Sequence, residues 1–430
     1  MYHQFKEDLG APEAARRLAA LESLMKLHRD GKVENPTPTA YVNNHIHTTY
    51  SFSPYSPAKA AYMAWSSGLT TAGIMDHDSI AGAQEFIQAG RIIGIAATVG
   101  FECRCSMEGT PFAGRRINNP DQKGVAYLAM HGVPHQHIGR VQAFLDPYRA
   151  KRNRRNRAMT DSLNRVLESC GLQLDFDRDI APISNNSLGG TITERHILFA
   201  LAAKLEETVG RGPHMLAFLE EKLGIVVTGS SREKLGDAGN DMYPYYLLGV
   251  LKSQMVERFY VDATEECPHV TEFIKLADEI GAISAYAYLG DVGDSVTGDK
   301  KTQTFEDAYL DQLVEFLHGT GFRALTYMPT RNTAGQLQRV MELCDRYGLF
   351  QISGEDINSP FQSFICAALE KPEFHHLVTN TWALIGHEAA ASQNQFDGMF
   401  SPKTLADMPA LSHRIQHYAA LGRKTIHTKP

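Results

Sequence analysis

The chain has 430 residues, 43% of them hydrophobic and 21% charged, and a net charge of −7. That length holds a large core, as two or three ordinary domains or as one α/β barrel with extensions. The acidic balance weighs against broad affinity for nucleic acid or anionic membrane, and six scattered cysteines do not make a disulfide framework.

Residues 1–39 read as an amphipathic lead-in helix ending near Gly31. They lack the basic and apolar regions of a secretory leader. The most apolar stretch, AGRIIGIAATVGF, is too short to span a bilayer and contains Arg91. A soluble, cytoplasmic protein with no membrane partner is expected. From residue 40, strands and helices alternate. AYVNNHIH is strand-like; SPAKAAYMAWSS is helical, with Ser56 as its cap, Pro57 in its first turn and Gly68 past its end. LTTAGIMDHD reads as a strand, SIAGAQEFIQAG as a helix and IIGIAATVGFE as a strand. Further strand candidates are GVAYLAMHG (124–132), GAISAYAY (281–288), FRALTYM (322–328) and LFQISGED (349–356), with helices such as EFIKLADEIG and GQLQRVMELCDRYG between them. The alternation predicts a parallel α/β sheet, and seven strands favour a barrel. Residues 150–265 break the rhythm and predict a helical insertion packed on a barrel made from 40–149 and 266–360. Residues 361–430 form a C-terminal extension without clear periodicity.

Polar residues gather where strands end: His45 and His47, then Asp76, His77 and Asp78, then Glu102, His131, and Asp356 with Asn358. In a parallel barrel all these ends open on one mouth. Singly, each has an ordinary reading. The histidine pair is incidental, Asp78 caps a helix, Glu102 is an exposed charge and His131 sits satisfied in a turn. Jointly they point to a metal site, and imidazole with carboxylate suits Zn, Mn or Fe better than Mg or Ca. Cys103 and Cys105 flank Glu102, so strand alternation turns both to the opposite face, as core residues rather than ligands. In the basic run 149–157, Arg154 and Arg157 share one helix face and suit a phosphate, though such a run also serves as a solvated face. Arg195, beside His196, is another candidate.

As an ordered set these motifs resemble the PHP (polymerase and histidinol phosphatase) superfamily, in its stand-alone phosphoesterase and nucleotidase branch, over roughly residues 40–360. The family's H-x-H-T-x-x-S is HIHTTYS here, and its D-H after a strand is IMDHDSIAG. Its G-x-E is VGFE, and R-x-x-R followed by R-x-H-I is RNRRNRAM and TERHILFAL. Its closing G-S-D-x-H is SGEDIN. The resemblance implies a distorted (β/α)7 barrel with a multinuclear Mn, Zn or Fe centre at its mouth. It implies His45, His47, Glu102 and Asp356 as a first metal site. Glu102 would bridge to a second metal held by His196 and a fourth-strand histidine, and His77 would serve a third.

Three residues depart from the family pattern. Phe52 stands where the family has Asp or His, Asn358 where the closing motif has histidine, and Tyr286 where the penultimate strand has histidine. The third site loses two ligands, so two metals are expected. The fourth-strand ligand stays open between Tyr127, at the aligned position, and His131, which is favoured.

The implied activity is hydrolysis of a phosphate ester of a small metabolite or nucleotide by a metal-activated hydroxide, with the metals about 3.5–4 Å apart. Asp76 or His77 would move the proton. Arg154, Arg157, Arg195 and Tyr286 would bind substrate, with the insertion as a lid. A catalytically degenerate module that binds metal or nucleotide is the alternative, motivated by Phe52, Tyr286 and Asn358. A nuclease using the basic helix is a third reading, against which the negative charge and the lack of an aromatic-basic motif weigh.

Overall fold

The computed structural model describes residues 1–291 and 306–426. One curled sheet runs in the order β1 (Thr71–His77), β2 (Ala96–Ser106), β3 (Val125–His131), β4 (Ile283–Ala287), β5 (Ala324–Tyr327) and β6 (Phe350–Ser353). The strands β1–β2, β4–β5 and β5–β6 pair in parallel, but β3 is antiparallel to both of its neighbours. This corrects the all-parallel expectation. Parallel pairing needs a crossover, usually a helix, and the 107–124 connection holds no helix and folds back at the same end of the sheet.

The AYVNNHIH segment is not a ladder strand. Its Ile46 bridges Ile74 on one side and Ile357 on the other. The Ile46 N–H donates to Gly73 O and the His47 N–H to Ile357 O, both at 3.0 Å. A single extended segment thereby ties the β1 edge to the chain just beyond β6. A Cβ on Gly354 would lie 2.6 Å from the His45 nitrogen, so this close approach requires glycine.

Helices α1 (Tyr2–Asp8) and α2 (Ala14–Arg29) replace the single expected lead-in helix, because Gly10 and Pro12 interrupt it. Helices α3 (Pro57–Ser66) and α4 (Ala83–Ile93) pack on the sheet. The Ser56 hydroxyl accepts from the Lys59 N–H at the start of α3, as the cap signal predicts. Helix α5 (Ile138–Leu167) runs straight through residue 150, so no linker marks the expected start of the insertion. With α6 (Glu194–Val209), α7 (Pro213–Glu221), α8 (Gly229–Gly236) and α9 (Tyr243–Phe259) it encloses a separate core around Leu163, Leu201 and Leu247. Helices α10 (Val270–Ile280), α11 (Leu310–Thr320) and α12 (Ala334–Tyr347) return to the sheet.

The C-terminal helices α13 (His375–Gln393), α14 (Pro402–Asp407) and α15 (Leu411–Lys424) belong to the fold. Trp382 and Leu384 pack with Ala96, Ile283, Ala324 and Phe350, which begin four strands. Glu388 accepts from the Thr98 hydroxyl at 2.6 Å and the Val99 N–H at 2.7 Å. These helices form a floor under the sheet. His77 and Glu102 stand at the other end.

Candidate metal centre

Strand alternation and register decide which side chains meet. His77 lies level with Glu102, Glu102 with Ala129, and Ala129 with Ala285. These four therefore share the inner face of the sheet. Here the buried side chains of His45, His47 and Glu102 bring one ligand atom each within 4.8 Å of one another. The Nε2 atoms of His45 and His47 each lie 3.5 Å from Glu102 Oε1. His47 Nε2 is also 3.1 Å from Asp356 Oδ1, and His77 Nδ1 is 3.0 Å from Glu102 Oε1. His77 stacks on His47 with ring centroids 4.6 Å apart.

Two buried nitrogens, His45 Nε2 and His47 Nε2, have no hydrogen-bond partner among the described residues, although carboxylate oxygens face them at 3.1–3.5 Å. Ring nitrogens gathered on carboxylate oxygens without the geometry of a hydrogen bond are what a transition-metal ligand set presents, so the donors fit such an ion. Behind them, Asp76 accepts from the Thr48 N–H (2.7 Å), the Thr48 hydroxyl (2.6 Å) and the Ser51 hydroxyl (2.6 Å). Ser51 Oγ in turn lies 3.2 Å from His47 Nδ1, which fixes the ring with Nε2 pointing inward.

Charge in the group is strongly coupled. Burial alone would raise the Glu102 pKa, but His77 and His45 outweigh it and hold the carboxyl well below its usual range. Asp356 is lowered in the same way, burial being outweighed by His47 and His45. Burial lowers His45, yet the Glu102 carboxylate more than compensates and raises it. In His47 burial wins and the ring is held toward its neutral form, the form that ligates metal.

Other expected residues sit differently. Asp76, expected to move protons, is 1% exposed with both oxygens accepting hydrogen bonds from Thr48 and Ser51. His131 ends an antiparallel strand, which puts it deeper than Glu102 instead of at the mouth. Its ring is buried and pushed down to about 3 by burial and the neighbouring His45. Tyr127 is the β3 residue nearer the mouth; it stands opposite Arg104, its ring 5.9 Å from that of His77. His196 accepts the Thr193 N–H on Nδ1 at 3.0 Å and packs edge-on against Phe52 at 5.0 Å. Asn358 donates to Asp356 Oδ1 at 2.7 Å. Tyr286, one residue off the inner face, joins the helix-side core and gives its hydroxyl to Glu306. That removes it from the substrate side.

Arg154 and Arg157 are exposed and paired with Glu265 and Asp177. The buried arginines of α5 are Arg152 and Arg155, three apart and therefore on one face. Arg152 pairs with Asp78 and Glu194, and Arg155 with Glu194 and Glu266; Arg104 from β2 pairs with Glu194 and Glu266. Asp78, expected as a helix cap, adopts φ +47° and turns to this network instead. Arg195 opens α6 beside Glu194. The missed signal was periodicity: the apolar stripe Met159, Leu163, Leu167 extends backward to Arg155 and Arg152, not to Arg154 and Arg157.

The insertion also touches the mouth directly. The Thr191 N–H donates to Tyr50 O, Asn185 Nδ2 to Thr49 Oγ1 and Ser79 Oγ to Gly189 O, each at 2.8 Å.

No family model matches the chain, and no curated protein matches it in sequence. Among solved structures it is similar to a protein from Bifidobacterium adolescentis assigned as a metal-dependent phosphoesterase. The TM-score is 0.50 at 18% identity, covering 81% of this chain and 98% of that one. An amidohydrolase from Chromobacterium violaceum, with bound sulfate and no metal, gives 0.49 at 17% identity, over 76% and 90% of the two chains. At such identities the first likeness is one of fold.

Proposed function

We propose that the chain is a metal-dependent hydrolase of a phosphate ester on a small metabolite or nucleotide. The observation that carries this reading is the buried His45, His47 and Glu102 group with Asp356 beside it, its two imidazole Nε2 atoms facing carboxylate oxygens without a hydrogen bond among the described residues. The fold likeness to a protein assigned as a phosphoesterase supports the choice of reaction. A divalent ion held by these four side chains would polarise the ester oxygen and lower the pKa of a water.

The chain's own groups supply the rest. Ser51 and Asp76 orient His47, so the ligand set needs little reorganisation when it binds. His77, with its side chain 28% exposed, hydrogen-bonds Glu102 on one side and is open to the mouth on the other. It is the group best placed to take up and release a proton. The half-buried Tyr127 supports substrate on the neighbouring wall. The loop 185–193 covers the mouth, and Phe52 joins the insertion's apolar core, so the lid is packed rather than hinged freely.

The test is metal-stripped protein reloaded with Mn, Zn or Fe and assayed on mononucleotides, nucleoside bisphosphates, sugar phosphates and an amide panel. Phosphate release that follows reloading and disappears in Glu102→Gln and Asp356→Asn supports the reading. Bound metal with turnover of the amides alone would replace it with an amidohydrolase. Bound metal with no turnover anywhere would favour the degenerate module that Phe52 and Asn358 suggest.

A further inference from the structure

Resting on the metal-centre reading above, we infer that the site takes one divalent ion per chain, not the two or three that its motifs imply. Three observations converge on this, and the first is the donor count. Among the described residues His45, His47 and Glu102 are the group whose ligand atoms lie together, with Asp356 and His77 in contact with it. His45, His47, Glu102 and Asp356 are four donors for one five-coordinate ion whose fifth position stays open for substrate, while His77 Nδ1 faces Glu102 Oε1.

The second observation concerns the donors expected for another ion. His196 spends Nδ1 on the Thr193 N–H and lies against Phe52 within the insertion's core. The charges that act on it are those of Arg152 and Glu194, so an ion bound there would sit beside a fixed guanidinium. His131 keeps an Nε2 with no partner among the described residues; it lies one same-face step below Glu102 with Met75 and Ile283 beside it in register, and the charges that reach it are those of His45 and Glu102, donors already counted for the first ion. One imidazole does not make a site.

Formal charge is the third observation. With neutral imidazoles, Glu102 and Asp356 carry two negative charges, which one divalent ion neutralises. Of the other carboxylates around the mouth, Asp78, Glu194 and Glu266 are neutralised by Arg104, Arg152 and Arg155, and Asp76 spends both oxygens on Thr48 and Ser51. A second ion at His196 would add two positive charges beside the Arg152 guanidinium, which is costly in a low-dielectric interior. The guanidinium cluster thus holds the ground that a second cation would need.

The experiment is metal counting on the full chain, stripped and reloaded with excess Mn²⁺ or Zn²⁺ and desalted, by native mass spectrometry and by the electron paramagnetic resonance of the Mn²⁺ form. One equivalent is expected, with the spectrum of an isolated ion, unchanged in His196→Gln and His131→Gln and lost in Glu102→Gln. Two equivalents, a spin-coupled Mn pair, or loss of the ion in His196→Gln would overturn the inference while leaving a metal hydrolase intact. Wild-type protein that takes up no ion would overturn both. The wild-type count needs no variant to fold, so the outcome is decided even where a substitution unfolds the chain.

Discussion

Ser51 is the smallest residue with a large assigned effect. Its hydroxyl connects the fully hydrogen-bonded Asp76 to His47 Nδ1. Ser51→Ala removes one link and little volume. Metal affinity should fall about 10–100-fold, as for other outer-shell losses, while the apo protein melts within about 1 kcal/mol of wild type. Asp76→Ala strands the Thr48 N–H as well and should cost about 3 kcal/mol in urea unfolding. At this scale the sequence was most legible where a side chain's role depends on type and spacing. His45, His47, Glu102 and Asp356 meet because an i,i+2 pair and two strand ends lie on one face. It was least legible where one residue of register matters. Tyr286 misses the inner face by one position, and Arg154 and Arg157 are the solvent-side neighbours of the pair that is buried.

Secondary-structure elements were legible in position but not in direction. Each strand candidate from β1 to β6 falls on an observed strand, since apolar alternation marks extended chain. Alternation carries no information about which way β3 runs; that is set by a loop without a crossover helix, and it moved His131 away from the mouth. The C-terminal helices were missed because they are buried on several sides and so lack a clean polar face. Helices α13 and α15 cross where Gly386 and Gly422 face each other's backbone. A Cβ on either would come within 2.0 Å of the carbonyl oxygen of Trp382 or Tyr418. Backbone cannot yield as a flexible side chain does. Gly386→Ala should therefore lower stability by about 1–3 kcal/mol, read as a drop in the thermal midpoint, with metal content unaffected in the folded fraction.

For the whole molecule, acid is the condition that tests the interior. Burial pushes His131 and His196 down to about 3 and His387 down to about 4, so the folded chain keeps these rings neutral. The unfolded chain protonates them near its ordinary value, about 6.5. Below that pH the unfolded state binds more protons, and stability must fall as pH drops from about 6.5 toward 4. Glu102 and Asp356 are lowered carboxylates and act in the same direction, their contribution being lost as pH falls below the ordinary carboxylate range. Metal-free protein should show a steadily decreasing urea midpoint across this window. A midpoint flat from pH 7 to pH 4 would mean that these rings are not held neutral. The salt-bridge network sets a second whole-molecule property, the seat of the insertion on the sheet. Arg155→Met leaves two buried carboxylates undercompensated and should cost about 3–5 kcal/mol by thermal melting.

Helix α5 gives the molecule a mechanical property that no single site has. It starts against the floor, where His135 contacts Glu388 at 2.9 Å and His137 contacts Gln395 at 2.7 Å. It rises at 1.5 Å per residue, so Arg152 meets Asp78 at the mouth roughly 20 Å higher along the same rod. Floor and roof are joined by the first half of one helix, so the roof has no height of its own to choose. Loosening the floor with His135→Ala should accordingly speed amide exchange in the 185–193 loop, across the full depth of the molecule from the substitution.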